Sequence, residues 1–409
     1  MADTLEFKYQ VRDRAGALVE GKLEAESKAA VAGKLKEMGY APLSITEANA
    51  GLQRELSIPG FGGKVKLKDL AVFSRQFATM INSGLSLLRA LTILSEQTDS
   101  DKLREILGEV RKDIEVGNAL SVSMAKHEQF PPLMINMIKA GEVGGFLDGV
   151  LLQIAENYEA EVKLRGKVKA AMTYPVVVFV LAILMSIAML LFIVPVFAGM
   201  FDDLGAELPL PTRVLVALSE ALRFGLPLGV VGLIGGSVVW KKVRHERAVR
   251  EKLDPLKFKM PVFGGLMRKI ALARFARNLG TMMQSGVPIL QSLDIVADTT
   301  GNVVLERAIR AVQESVRNGE ALAEPLKEHP VFPAMVTQMM AVGEDTGALD
   351  TMLHKISEFY DQEVEATTES LTSLIEPLMI AFLGGIVGAM IVALYMPIFK
   401  VFDIIGGQV

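Results

Sequence analysis

The sequence predicts a mainly α-helical membrane protein that is built from a duplicated unit. Its 409 residues have a mean hydropathy of +0.36 although 22% of them are charged, which fits polar domains joined to membrane spans. Three long stretches carry no charge, and the second half of the chain repeats the first. We therefore expect two duplicated cytoplasmic helical bundles, three transmembrane helices and a small N-terminal α/β module.

The N-terminal module is predicted from alternation of apolar and polar residues. FKYQV and ALVEGKLEA alternate on either side of a DRAG turn, and APLSI is a further short strand. Ser27 can cap a helix over AAVAGKLKEM. The stretch SIPGFGGKVK, rich in glycine, predicts a flexible linker. The first residues include acids and no apolar segment, so we expect no cleavable secretory signal.

The duplication keeps a constant offset along the chain. AGEVGGFLD at residues 140–148 returns as VGEDTGALD at 342–350, so the offset is 343 − 141 = 202. FSRQFATMINSGLSLLRAL at 73–91 likewise matches FARNLGTMMQSGVPILQSL at 275–293. Apolar residues in each copy recur at helical spacing and stop at glycine and proline. We expect five or six short helices per copy, and one long helix over residues 146–170 that continues into the first span.

The uncharged stretches define the predicted spans. The first lies between Lys169 and Asp202 and the third between Glu376 and Lys400, and both can cross a hydrocarbon core of about 30 Å. The second, over residues 223–240, is of marginal length. Buried helices of a large soluble protein are the alternative, but uncharged runs of this length favour spans.

Flanking charges orient these spans. Lysines and arginines cluster before the first span and after the second, whereas the stretch between them is mainly acidic. We therefore expect the N-terminus and both bundles on the cytoplasmic side. The acidic approach to the third span, and Lys400 beyond it, run against this rule.

These signals together give a set of predicted boundaries. They are the α/β module (1–46), a linker (47–66), the first bundle (67–170), the first span (171–201), a periplasmic connector (202–222), the second span (223–240), a basic cytoplasmic connector (241–268), the second bundle (269–375), the third span (376–400) and a periplasmic tail (401–409).

Two glutamates are candidate functional residues because each lies in the repeated glycine motif. One interpretation is that Gly141 and Gly145 make a tight turn between helices, while the glutamate, Glu142 or Glu344, accepts backbone N–H groups or caps the next helix. The other is that they contact a partner or a divalent cation at a subunit interface, so the metal question stays open. Catalysis is not favoured, because a single active site rarely needs two copies.

Other chemistry finds little support. PGFGGKV lacks the spacing of a phosphate-binding loop, and the four histidines form no close pair. The chain has no cysteine, which excludes disulfides and thiolate metal sites. A net charge of −4 gives no sign of nucleic-acid binding. We expect no catalytic residues and no cofactor.

The spans themselves carry few polar groups. The absence of ionisable side chains within them argues against a transporter, which remains a remote alternative. Pro175, Glu376 and Pro377 are candidate residues of the membrane interface. Glycines in the second and third spans permit close helix packing, either within the chain or with partner helices.

Several motifs taken jointly carry a family resemblance. They are Phe7, Tyr9, Gly16, Gly21 and Ala25 in the N-terminal module, F-x-R-Q-x-A-T-M-x-x-x-G at 73–84, A-G-E-x-x-G-x-L-D at 140–148, A-x-x-Y-P at 171–175 and G-A-E-L-P-x-P-T at 205–212. With these motifs the chain resembles the inner-membrane platform proteins of type IV pilus machines and the F-type proteins of type II secretion. Asn278 replaces Gln76 in the second copy, which puts a shared role for that position in doubt.

The resemblance implies a non-enzymatic scaffold in the bacterial inner membrane, with a cytoplasmic N-terminus. It implies as partners a cytoplasmic hexameric ATPase for pilus assembly, and also for retraction, together with pilin subunits, inner-membrane alignment proteins, lipid and further copies of the chain. The candidate contact residues are Arg75, Gln76, Glu142, Arg277 and Glu344. The strings FSRQFATMINSG and LLRAL favour pilus assembly over the alternative, type II secretion.

Overall fold

The computed structural model describes residues 5–12, 18–25, 28–37, 41–47, 65–203, 208–244, 246–261 and 263–406. The chain divides into two compact units, Met1–Lys64 and Val65–Val409. Each unit has its own secondary structure, and most of the chain belongs to the second.

The first unit contains a three-stranded antiparallel sheet and one helix. Its strands are β1 (Leu5–Arg12), β2 (Leu18–Ala25) and β3 (Ala41–Glu47), in the order β2-β1-β3. Helix α1 (Lys28–Glu37) lies between β2 and β3 in the chain. The pairing of β1 with β3 shifts register between Gln10 and Val11.

The second unit is helical within the part of it that the structure describes, and its first bundle contains six helices. They are α2 (Leu67–Asn82), α3 (Leu87–Gln97), α4 (Asp101–Glu115), α5 (Leu120–Met124), α6 (Pro132–Gly144) and α7 (Leu147–Ala188). Helix α2 buries one apolar face, including Phe73 and Phe77, against α7. Ser100 caps α4 by accepting the N–H of Leu103.

The second bundle repeats this order, and its helices are α11 (Phe263–Gln284), α12 (Ile289–Thr299), α13 (Val303–Arg317), α14 (Ala323–Lys327), α15 (Ala334–Thr346) and α16 (Leu349–Gly406). Helix α10 (Arg247–Lys259) precedes them and packs on α11 and α13. Buried side chains of the two bundles form one continuous apolar core. The prediction of a mainly helical, duplicated architecture is confirmed.

One long helix leaves each bundle without a break. Helix α7 continues through a π-helical turn (Met189–Ile193) into α8 (Val194–Asp203), and α16 runs for 58 residues. Two helical segments, Leu147–Met200 and Leu349–Met396, are long and apolar enough to cross a membrane. Their apolar side chains are widely uncovered by protein; Phe192, for example, is 72% exposed. The bundle therefore passes directly into the apolar segment in both repeats.

Helix α9 (Leu210–Val243) joins the two repeats. Its first half packs at the far ends of the long helices, where Leu215 and Leu222 contact the apolar cluster of Leu190, Val194, Met390 and Leu394. Its second half, after residue 223, exposes a series of apolar side chains. Among the described residues, the apolar stretch in this half of α9 is Val231–Trp240, which is shorter than the two candidate spans. A membrane span over residues 223–240 therefore stays a prediction.

Two stretches that the sequence predicts as connectors are partly helical. The predicted connector 202–222 is helical from Leu210, because Pro211 occupies the first turn of α9, where its missing N–H is not needed. The predicted basic connector 241–268 contains α10 and the start of α11. The predicted break over Gly141–Gly145 falls at the end of that stretch, because α6 continues to Gly144 and ends at the left-handed Gly145. Residues 407–409 of the predicted tail lie outside the described residues.

Candidate functional site

The repeated glycine motif is a structural joint between two helices. Gly145 ends α6 with φ of 73°, a left-handed conformation that favours glycine, and Gly347 ends α15 with φ of 70°. A Cβ on Gly141 would lie 3.0 Å from Val150 Cγ2, and one on Gly343 would lie 2.9 Å from Met352 Cγ. The glycines therefore permit both the turn and the close approach of the next helix.

Glu142 caps a helix from a distance in the sequence. Its carboxylate accepts the N–H of Leu120 at 2.5 Å, the N–H of Ser121 at 3.1 Å and the Ser121 hydroxyl at 2.5 Å. These two residues open α5, whose first N–H groups have no partner within the helix. The sequence left open whether Glu142 binds backbone N–H groups or contacts a partner or cation, and these hydrogen bonds favour the first interpretation. The helix that it caps, α5, lies before the glycine motif in the chain.

Glu344 performs the same role in the second repeat. It accepts the N–H of Leu322 at 2.7 Å and that of Ala323 at 3.1 Å. Ala323 takes the place of Ser121, so the second site lacks the hydroxyl bond of the first. No group of three or more metal-ligating side chains occurs among the described residues, and a cation near Glu142 stays untested.

Arg75 and Arg277 occupy equivalent positions and form equivalent ion pairs. Arg75 binds Glu159 through Nε and Nη2 at 2.6 and 2.5 Å, and Arg277 Nη2 lies 2.5 Å from both carboxylate oxygens of Asp361. The hydrogen bond from Arg75 holds the pKa of Glu159 below its ordinary value and raises the pKa of the guanidinium. Glu159 and Asp361 are also related by the 202-residue offset, so the pair is part of the repeated unit.

The surroundings of the two arginines differ. Arg75 and Gln76 lie on an accessible face of α2, beside an open groove of about 360 Å³ that also includes Lys68 and Lys163. Arg277 is 5% exposed, because its side of α11 faces α7 of the first repeat. Arg277 is thus enclosed by the chain itself. Whether any of the five candidate residues contacts a partner stays a prediction.

Glu161 is the main charged residue of the contact between the repeats, and the sequence did not single it out as a site. Arg274 of the second repeat binds it at 2.5 Å, Arg165 at 2.6 Å, and Arg277 lies 3.7 Å away. Its side chain is only 12% exposed, and the three cations compensate a largely desolvated charge. The sequence does show that Glu161 and Glu363 are equivalent residues of the repeat. It does not show which of the two glutamates is enclosed by the contact between the repeats.

Two of the three residues predicted for the membrane interface line a small cleft between the long helices. Pro175 is buried within α7, whereas Glu376 and Pro377 are exposed on α16. Pro175 and Glu376 line the same cleft, of about 50 Å³, together with Tyr174 and Thr372. The structure thus brings two of these three predicted residues together, near the point where both helices become apolar.

Comparison with known proteins agrees with this architecture. Residues 73–195 and 275–397 each match the family described as type II secretion system (T2SS), protein F, with the same 202-residue offset. The chain belongs to this family. Residues 1–46 match the family's N-terminal domain, described as type II secretion system protein F, N-terminal domain.

Full-length relatives of the family carry two kinds of name. The chain is 46% identical to "Type IV pilus assembly protein PilC" of Thermus thermophilus, over 98% of this chain and 99% of that protein. It is 43% identical to the protein of the same name from Myxococcus xanthus, over 97% and 95%. Identity to "Type II secretion system protein F" of Vibrio cholerae is 32%, over 96% and 98%.

Proposed function

We propose that this chain is the inner-membrane platform of a type IV pilus machine. In this role it couples a cytoplasmic hexameric ATPase to the insertion or extraction of pilin subunits, and it performs no covalent chemistry itself. Its further partners are inner-membrane alignment proteins, lipid and other copies of the chain. The bundles lie on the cytoplasmic side and the long helices α7 and α16 cross the bilayer, with the N-terminus in the cytoplasm.

The observation that carries this proposal is the unbroken helix in each repeat. Helix α7 begins within the first bundle at Leu147 and is still helical where the chain becomes apolar, and α16 repeats this from Leu349. A helix with intact backbone hydrogen bonds is stiff on this length scale. A displacement that the ATPase imposes on a bundle would therefore reach the bilayer without a flexible joint.

Pilus assembly is favoured over type II secretion by the relatives. Proteins named for pilus or fimbrial assembly share 33–46% of residues with this chain, and those named for secretion share 31–32%. The secretion platform is therefore the alternative function. In a strain lacking this gene, loss of surface filaments with normal exoprotein levels supports pilus assembly, and the reverse result supports secretion.

Stiffness of α7 can be tested with a matched pair of insertions. Two glycines inserted after Lys163 and two alanines inserted at the same place change helix length and rotation equally, but only the glycines weaken the helix. We expect more surface filaments with the alanine insertion, at equal amounts of the protein in the membrane. Equal filament counts in the two strains would remove helix stiffness as the means of coupling.

A further inference from the structure

The two repeats contact each other in a head-to-tail manner. Helices α6 and α7 of the first repeat pack against α11 and α12 of the second, where Gln291 donates to Asn136 at 2.9 Å. The reverse pairing, of α2 and α3 with α15 and α16, shows no comparable contact among the described residues. The interface is therefore heterologous, and each repeat keeps one half of it uncovered.

The first uncovered half lies on α2, and we call it the α2 face: Lys68, Val72, Gln76, Thr79 and Ser83, all of them exposed. The equivalent residues of the second repeat are Ile270, Arg274, Asn278, Thr281 and Ser285, all partly or fully buried. Asn157 of α7 donates to Asn278 and to Thr281, both at 3.2 Å, and Ser285 donates to Gln153. The same surface is thus covered in one repeat and open in the other.

The second uncovered half lies on α16, and we call it the α16 face: Lys355, Phe359, Gln362, Ala366 and Glu369, which form one exposed helical stripe. The equivalent residues on α7 are Gln153, Asn157, Ala160, Leu164 and Lys167, and the second repeat buries them in whole or in part. Phe359 is 41% exposed at the position where Asn157 is 6% exposed. An aromatic side chain is thus left uncovered on a surface that the first repeat uses for packing.

Two of the three charged contacts between the repeats have counterparts of opposite sign in an interface between copies. Within the chain, Lys167 binds Glu365 at 2.5 Å. In an interface between copies, the 202-residue offset replaces Lys167 by Glu369 of one copy and Glu365 by Lys163 of the next. These two residues again have opposite charges. Glu161 near Arg277 likewise becomes Glu363 near Arg75. The third charged contact, Arg274 with Glu161, becomes Val72 with Glu363 and loses its positive partner, so two matched charge pairs support a second copy of this chain as the occupant.

The direction of the helices also permits a second copy. Along the contact between α7 and α16, Lys167 meets Glu365, Phe179 meets Phe382 and Leu190 meets Met390, so the two helices run parallel. Repetition of this relation keeps every copy in the same orientation with respect to the bilayer. A heterologous interface of this kind forms a ring when its rotation closes.

We propose that copies of this chain associate head to tail, with the α16 face of one copy on the α2 face of the next. The contact reproduces the one between the two repeats, with Phe359 in the place of Asn157 and Gln76 and Thr79 in the places of Asn278 and Thr281. The proposed function includes association between copies of the chain, and this proposal names the residues that make that contact. It depends on that self-association and on no other part of the proposed function.

Cysteine cross-linking tests the proposal directly, because the chain has no cysteine of its own. Full-length Thr79→Cys and Phe359→Cys chains carry different tags, are mixed in the membrane by co-expression and are oxidised. We expect a disulfide-linked dimer that contains both tags. The positive control is Asn157→Cys with Thr281→Cys in one chain, whose side chains are in contact within the repeat interface. Val116→Cys on the end of α4, 78% exposed and outside both faces, replaces Thr79→Cys as the negative control.

Each other outcome overturns the proposal. If the positive control cross-links and the mixed dimer is absent, the faces do not meet. A dimer of two Thr79→Cys chains indicates a two-fold symmetric contact instead. With a thiol-to-amine cross-linker on Thr79→Cys, capture of residues 1–64 of the same chain shows that the N-terminal unit covers the α2 face, and capture of the ATPase shows that the motor does.

Charge reversal gives an independent test in purified protein. Neither Lys163 nor Glu369 forms an ion pair within the part of the chain that the structure describes. Lys163→Glu and Glu369→Lys should each raise the Kd of self-association about two- to five-fold, because a surface ion pair is replaced by like charges. The double variant should restore the Kd, and a further rise instead would overturn the proposal. These measurements need neither filaments nor ATPase, so they can fail while the proposed function stands.

Discussion

Replacement of Glu142 by glutamine should open α5 locally without unfolding the bundle. The carboxylate accepts two backbone N–H groups and one hydroxyl. Glutamine offers one oxygen, so it can keep the N–H of Leu120 but turns an amide donor toward the N–H of Ser121. A hydrogen bond to a charged group contributes about 1.5–3 kcal/mol, and loss of a cap costs about 1 kcal/mol in many helices.

We take about 2 kcal/mol as the expected loss at this site, which corresponds to a roughly 30-fold change in an opening equilibrium. Hydrogen–deuterium exchange of the Leu120 and Ser121 amides measures that opening. We expect their exchange to accelerate about 30-fold in Glu142→Gln, while the amides of Leu322 and Ala323 keep their rate. Glu344→Gln is the matched variant and should show the opposite pattern.

Ser121→Ala supplies a graded control, because it makes the first site chemically like the second. It removes one hydroxyl bond and keeps both backbone bonds, so the acceleration should stay near five-fold, or about 1 kcal/mol. Unchanged exchange at residues 120–121 in Glu142→Gln would refute the capping role. Equal acceleration throughout the bundle would show that the residue acts on global stability instead.

Three further predictions follow from packing, charge and backbone geometry. Gly141→Ala should destabilise the first bundle by roughly 1–3 kcal/mol, because its Cβ meets the next helix, whereas Gly149→Ala has open space and should stabilise it by up to about 1 kcal/mol in chemical unfolding. The Arg75 ion pair lowers the pKa of Glu159, so its contribution, below about 1 kcal/mol for an exposed pair, should be present at neutral pH and lost as pH falls through that lowered pKa. Ser219→Ala should increase proteolysis near the start of α9, because the hydroxyl donates to a carbonyl of the π-helical turn.

Each of these predictions has a result that contradicts it. Equal stabilities of Gly141→Ala and Gly149→Ala would show that α6 can move aside without cost. A Glu159→Gln variant with the same acid dependence as the original chain would remove the pH assignment. Unchanged cleavage in Ser219→Ala, with Ser237→Ala as the exposed control on the same helix, would show that apolar contacts alone hold the start of α9.

The sequence predicts the local features of this fold well, because they depend on residue type and spacing. The 202-residue offset, the helical bundles and the turn at Gly145 all follow from patterns within a few dozen residues. The glutamate of the motif was predicted to accept backbone N–H groups. That it reaches back 22 residues to Leu120 was not predicted, because such a contact depends on how α5 and α6 pack.

The difference between the repeats is a tertiary property and could not be predicted from either copy. Arg75 and Arg277 have similar neighbours in sequence, yet one is accessible and the other is enclosed, because only the second repeat has the first against its α11. The early start of α9 does have a sequence signal in Pro211, because proline is favoured in the first turn of a helix. The π-helical turn over Met189–Ile193 has no signal in its composition, since MLLFI suits an ordinary apolar helix equally well.

The attachment of α9 at one end only has a consequence for the bilayer. Thr212 and Ser219 donate to backbone carbonyls of α16 and of the π-helical turn, and the apolar contacts of α9 lie beside them. Beyond residue 223 the helix separates from the other two and exposes apolar side chains. In the membrane orientation proposed above, lipid acyl chains occupy the space between this part of α9 and the two long helices. Lipid chain length and unsaturation should therefore set the distance between α9 and those helices.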